Sequence, residues 1–194
     1  MTWIQTAKGR AFDLADPRAE DVDFDEIGYA LARINRFTGH AGVYSVAQHC
    51  AHGCDYLESR GDVEAAFAFL LHDAPEFALG DPSRPLIGLL DATVPGFGVA
   101  YDRLTRGVDE AIWQAAGFPW PSHPVLRRVH QIDLAMLRTE RDQLMVEPPR
   151  PWIAAVEQAA PLPIWLERIA PEIAERRWVG RFHRLSATLK QRSL

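Results

Sequence analysis

Four residues of this chain break apolar helical stripes with side chains that bind metal ions. His49 falls between Val46 and Gly53, and Asp133 falls between Val129 and Leu137. The pair His72-Asp73 follows the inward run Ala66, Phe67, Leu70 and Leu71. Burying a carboxylate among aliphatic side chains is costly unless it is paired or bound to a cation. Two imidazoles and two carboxylates form a mixed nitrogen and oxygen set suited to one divalent ion, with Mn, Co, Fe, Zn, Ni and Mg all compatible. Taken singly, each has an ordinary explanation. An inward histidine is more often a hydrogen-bonded core residue than a ligand, and Asp133 has Arg127, Arg128 and Arg138 nearby to pair with. Taken together, one cation satisfies all four. Neighbours on a helix point about 100° apart. His72 and Asp73 therefore reach one ion only from a helix end or a bent turn, which Pro75 supplies.

Three helices must position these groups. Ser45 caps the first, whose inward stripe is Val46, His49, Cys50, Gly53, Cys54 and Leu57, and Gly61 ends it. Asp62 opens the second, which bends or ends at Pro75 before a Pro/Gly-rich connector from Gly80 to Pro85. The third begins after Ser122 and Pro124 and carries Val125, Val129, Ile132, Asp133, Met136 and Leu137 on one face. Further helices are expected from Asp23 to Ile34, with Asp23 and Glu26 as a capping box, and through Leu104, Val108, Ala111, Ile112 and Ala115 up to Gly117. A last one runs from Pro171 through Trp178, Phe182 and Leu185. Thr2–Thr6 and Arg10–Leu14 alternate around Lys8-Gly9 as a short hairpin within residues 1–20. Residues 147–163 are proline-rich and read as an irregular surface loop, ahead of a C-terminal helical segment over 164–194. The expected fold class is all-α, a single domain over 1–194 with a short N-terminal β-hairpin.

Composition removes other classes. With 26 acidic against 21 basic residues and a net charge of −5, a stable nucleic-acid complex is not expected. A small phosphate-bearing ligand remains open, because one site needs only local positive charge. No apolar run approaches the roughly 18 residues of a membrane span, and no signal-peptide core precedes the first helix. Cys50 and Cys54, four apart on a helix, read as small buried hydrophobes in a reducing compartment, so cytoplasm is the expected location.

The order His49, His72-Asp73, Asp133 resembles the HD-domain superfamily of metal-dependent phosphohydrolases, closest to the YfbR-like 5'-deoxynucleotidases and the prophage YfdR-like proteins. Ile34-Asn35-Arg36-Phe37 is similar to the substrate segment of that family. Tyr44 to His49 is similar to its first-histidine helix, and Leu71 to Glu76, through Gly80-Asp81, to its core motif. The hairpin start and Ile132 to Glu140 also look YfdR-like. The resemblance implies an HD-type helical bundle with His49, His72, Asp73 and Asp133 as metal ligands. It implies Glu76 and Asp81 as the acidic pair that positions and activates water, and Arg36 with Phe37 as substrate contacts. Phe37 stands where the YfbR type carries Trp, which implies weaker stacking on a base, and Pro75 stands where it has Ser. His40 and Arg84 are weaker candidates for a phosphate contact, whereas His52, His123, His130 and His183 form no second cluster. The implied reaction is 5'-dephosphorylation of deoxynucleoside monophosphates. The alternatives are triphosphohydrolysis of dNTPs, with Arg84, Arg103 and Arg106 supplying added charge, and a non-catalytic nucleotide-binding protein. The implied partners are a nucleotide and a second copy of the chain, with Trp120, Trp152 and Trp165 as surface candidates.

Overall fold

The computed structural model describes residues 1–192, an all-α bundle with a two-stranded hairpin at its N-terminus. Strand β1 (Trp3–Gln5) pairs antiparallel with β2 (Ala11–Asp13), Ile4 opposite Phe12, around a turn in which Gly9 takes φ 79°. Phe12 is fully buried and meets Phe77 edge-on, 4.9 Å between ring centres. Asp23 caps helix α1 (Phe24–Leu31) by accepting from the N–H groups of Asp25 and Glu26. The reciprocal half of the expected capping box is absent. Glu26 instead turns to the hairpin, accepting from Lys8 N–H at 2.5 Å and the Arg10 guanidinium at 2.6 Å. Helix α1 also stops at Leu31, so Ile34 lies beyond it and not in its stripe.

Ser45 and Gln48 form a full capping box at the start of α2 (Val46–Ser59), and Asp62 caps α3 (Val63–Leu71). These two helices approach closely because Gly53 has no side chain. A β-carbon there would lie 2.2 Å from the Phe69 ring. Beyond Leu71 the ladder tightens to i→i+3 bonds, Ala74 N–H to Leu71 C=O and Glu76 N–H to Asp73 C=O, before the short α4 (Glu76–Leu79). His72 and Asp73 sit in this tightened turn.

The connector expected over 80–85 gives way at Arg84 to α5 (Arg84–Thr93), with Pro85 in its first turn, where a missing N–H leaves nothing unpaired. Helix α5 buries none of its residues fully, with Ile87 and Leu90, three apart, half-buried. Helix α6 (Phe97–Ala116) starts before the expected Leu104 and ends at Gly117 in the left-handed conformation. Helix α7 (His123–Leu144) follows the expected course. The proline-rich stretch is not irregular throughout, since α8 (Ala154–Gln158) forms inside it and buries Val156. Helix α9 (Pro171–Arg192) closes the bundle, its fully buried Trp178 donating Nε1–H to the carbonyl of Leu70 at 3.2 Å. The last two residues of the segment expected over 164–194 lie outside the described residues. One buried apolar cluster runs from Phe12 to Leu185. Among the described residues no helix is long and apolar enough to cross a membrane.

Gly53→Ala tests the α2–α3 contact. Alanine normally stabilises a helix interior relative to glycine, but here the methyl group must displace the Phe69 ring. The expected result is a net loss of about 2 kcal/mol in denaturant unfolding, typical of overpacking. Unchanged or raised stability would contradict the close approach.

Candidate metal centre

Helix α2, the turn after α3, and helix α7 deliver the four ligand-type side chains to one point. Nε2 of His49 lies 3.4 Å from Nε2 of His72, 3.3 Å from Oδ1 of Asp133 and 3.6 Å from Oδ2 of Asp73. Nε2 of His72 lies 3.2 Å from Oδ1 of Asp73 and 3.8 Å from Oδ1 of Asp133. His49, His72 and Asp133 each offer a donor atom within 4.8 Å of the others, and Cys50, His72 and Asp73 make a second such group. The arginines expected to compete for Asp133 look elsewhere: Arg128 pairs with Asp62, and Arg138 with Asp142 and Glu157.

The outer nitrogen of each imidazole is committed to an acceptor. Nδ1 of His49 donates to Oε1 of Glu140 at 2.6 Å, and Nδ1 of His72 donates to the carbonyl of Phe69 at 2.6 Å. A carbonyl and a carboxylate only accept, so each ring in its neutral form carries its proton on Nδ1 and presents a lone pair at Nε2. Two lone pairs and two carboxylates then face one another, an arrangement that is repulsive until a positive charge enters. The donor set therefore fits a metal ion, with the ring orientation fixed from outside as in histidine metal sites generally.

The electrostatics carry the same demand. Burial works against charge on His72, yet Asp73 and Asp133 outweigh it and hold its pKa well above the ordinary value. Burial and Arg36 likewise oppose charge on His49, and Glu140 and Asp133 overcome them. Burial pushes Asp133 up, but the two imidazoles hold it well below the usual carboxylate range.

The other expected site residues surround this cluster. Arg36 is buried, its Nε donating to Oε2 of Glu140 at 3.0 Å and its Nη1 to Oδ2 of Asp73 at 3.4 Å. Its place is set by a bridge between Asn35 and Ser45 and by the bond from Arg36 N–H to Tyr44 C=O, which fold residues 35–45 back onto the start of α2. Glu76 has a buried Oε2 without a hydrogen-bond partner, and burial with Asp73 and Asp81 pushes its pKa up to about 10. Asp81 is also raised, by burial, with Arg36 acting against the shift. Phe37 lies beside Arg36, whose guanidinium carbon is 5.6 Å from its ring centre. His40, Arg84, His123, His130 and His183 are exposed, and His52 stacks on Tyr44.

Two groups were not among the expected site residues. Glu140, fully buried, joins His49 to Arg36. It stands seven residues after Asp133, two turns along the same face of α7, and that spacing was its available signal. Asp109 on α6 is pushed up to about 7 by burial, with His72 opposing and Asp73 adding to the shift. Two turns before it, Tyr101 feels the charges of Glu76 and Asp81 and neighbours the buried Thr105 hydroxyl, so one face of α6 runs along the site.

No family profile matches the chain. The uncharacterized protein YfdR of Escherichia coli K12 is 32% identical over 197 residues, covering 98% of this chain and 99% of its own length. An uncharacterized protein of Rhodobacter capsulatus is 31% identical over 149 residues, covering 73% of this chain and 72% of its own length.

Glu140→Gln keeps the shape and removes the charge that orients His49. The expected result is a loss of about 10- to 100-fold in Mn²⁺ or Co²⁺ affinity by calorimetry, as for other outer partners of metal-bound histidines. Unchanged affinity would show that Glu140 does not position the ligand. Asp109 gives a pH test in chelator-treated protein. The folded chain keeps its carboxyl neutral where the unfolded chain ionises it, so stability falls as pH rises from the ordinary value of 3.8 through about 7. Asp109→Asn should therefore stabilise increasingly over that range, reaching about 2 kcal/mol by pH 8 in denaturant unfolding. A pH-independent difference would contradict the burial of this carboxyl.

Proposed function

The chain belongs to the family of YfdR-like proteins, and from its site we propose a metal-dependent phosphohydrolase of HD type acting on nucleotides. The preferred reaction is 5'-dephosphorylation of deoxynucleoside monophosphates. The observation that carries this reading is the convergence of His49, His72, Asp73 and Asp133 on one point, with donor atoms 3.2 to 3.8 Å apart, flanked by a buried arginine and by the carboxyls of Glu76 and Asp81. A divalent ion held by these four residues lowers the pKa of bound water and shields the charge that repels a nucleophile from a phosphate.

The remaining residues divide the work around it. Arg36 spends two donors on Glu140 and Asp73, and its other N–H groups suit phosphate oxygens. Water adds to phosphorus and the bond to the 5' oxygen breaks, so one proton leaves the water and one reaches the leaving oxygen. Glu76 and Asp81 share the two proton transfers, one taking the proton of the water and the other supplying one to the leaving oxygen. A triphosphate needs further positive charge beyond the α-phosphate. Of Arg84, Arg103 and Arg106, Arg84 acts on Tyr101 together with Glu76 and Asp81, so it is the candidate for that charge and the triphosphate is kept as the second outcome of the test.

Incubation with dAMP and dATP plus Mn²⁺ or Co²⁺, with product identification, tests the reading. Inorganic phosphate from dAMP is expected. Glu76→Ala and Asp81→Ala should each lower kcat by about 100-fold or more while still binding the metal. Tripolyphosphate from dATP would favour the triphosphohydrolase. No turnover across a nucleotide panel would favour a binding protein.

A further inference from the structure

The proline-rich loop brings an aromatic ring to the edge of this site. Phe37 lies against Trp152, with ring centres 5.9 Å apart and planes tilted by 53°, although the two come from distant parts of the chain. On one side of Phe37 stands the Arg36 guanidinium, 5.6 Å from the ring centre and in contact with Asp73. Arg141 lies over the Trp152 ring, 5.5 Å from its centre. Asp73, Arg36, Phe37, Trp152 and Arg141 thus form one chain of contacts.

Trp152 is anchored. Its N–H donates to Oε1 of Glu157 at 2.8 Å, and the same oxygen accepts from Arg141 at 2.5 Å. Arg138 donates to the Glu157 carbonyl at 3.0 Å, and Leu162 N–H donates to the Thr139 hydroxyl at 2.7 Å, so the stretch is pinned to α7 within α8 and just after it. Phe37 is held with equal firmness and at some cost. Phe37 and Thr38 take φ of 55° and 54°, left-handed values that residues with a β-carbon seldom adopt. Both rings are half-buried, with surface left to a ligand.

We propose that Trp152 is a specificity-determining residue that forms, with Phe37, a shelf for the base of the nucleotide, so that base-bearing phosphate esters are preferred over base-free ones. This rests on the phosphohydrolase reading. A nucleotide offers an anion joined to a flat π-face. The site offers a buried cation beside one ring and, in contact with that ring, a second. Stacking on such platforms tolerates any base, so the preference is for a nucleoside over a bare sugar and not for one base. Phe37 alone is a small platform. Trp152 widens it with an indole, the aromatic group that attracts cations best, here backed by Arg141.

The test compares dAMP with 2-deoxyribose 5-phosphate as substrates of the Mn²⁺-loaded full chain. Trp152→Leu should raise KM for dAMP by about 10- to 100-fold, the equivalent of one lost base stack. KM for the base-free ester and kcat for both should hold. Trp152→Phe should restore most of the dAMP affinity. Equal losses on the two esters, or no loss on either, would overturn the shelf. Titrating dAMP against intrinsic fluorescence gives a second readout, with quenching expected in the unmutated protein and reduced in the packing-preserving Trp152→Phe. Equal quenching in both would also overturn the shelf. If neither ester is hydrolysed by the unmutated protein, the phosphohydrolase reading fails, and the fluorescence titration still decides the shelf.

Discussion

Glu140 ties together two side chains that have to stay in register, the imidazole of His49 and the guanidinium of Arg36. Each of its oxygens takes one partner, at 2.6 and 3.0 Å, and the carboxylate is fully buried. Burial alone would push this carboxyl toward neutrality. Arg36 and His49 outweigh it and hold the pKa below the ordinary value. An ionised group buried in this way cannot release a partner cheaply, since the orphaned charge would remain out of water. The lock therefore sets the tautomer of His49, aims its Nε2 at His72 and Asp133, and fixes Arg36 next to Asp73. One carboxylate on α7 thus fixes both a candidate metal ligand and the buried arginine beside it.

The second imidazole is locked by backbone. The Phe69 carbonyl receives Nδ1 of His72, and the ring of Phe69 fills the space over Gly53. The contact that lets α2 and α3 approach is thus made by the residue that orients the ligand. The i→i+3 turn after Leu71 then rotates Asp73 onto the same centre as His72. Closeness has an electrostatic consequence. Asp73, Asp81 and Glu76 crowd together, and in the absence of a cation Glu76 relieves the repulsion by holding its proton.

Around this rigid centre the less regular segments supply the rims. Residues 35–45 loop out from α1 and are stitched back at Asn35 and Ser45, which sets Arg36 at the mouth. The proline-rich stretch lies at the surface but is pinned through Glu157 and Thr139 and leans Trp152 on Phe37. Trp120 and Trp165 stay exposed, in contrast to Trp152. Helix α6 forms a wall of the site through Tyr101, Thr105 and Asp109.

Local rules were enough for much of this. Caps at Asp23, Ser45 and Asp62 and the stop at Gly117 act over three or four residues, so helix starts and ends could be read directly. The metal-type residues were legible for a related reason. A charge or imidazole in an apolar stripe has to be compensated, and four such intrusions point to one answer. Helix α5 was not read because Pro82 and Pro85 mark the segment as a connector, whereas Pro85 falls in the first turn, where a helix tolerates it. Glu26 was misassigned because its partner in the fold, the hairpin tip, competes with its own N-cap. The amino-acid order by itself determined which side chains turn inward and what kind of ion they suit. Which outer atom grips each imidazole, and which ring lies beside Arg36, was decided by the tertiary structure alone. Glu140 and His49, like Trp152 and Phe37, meet only when separate segments pack, and no periodicity records a contact made across the fold.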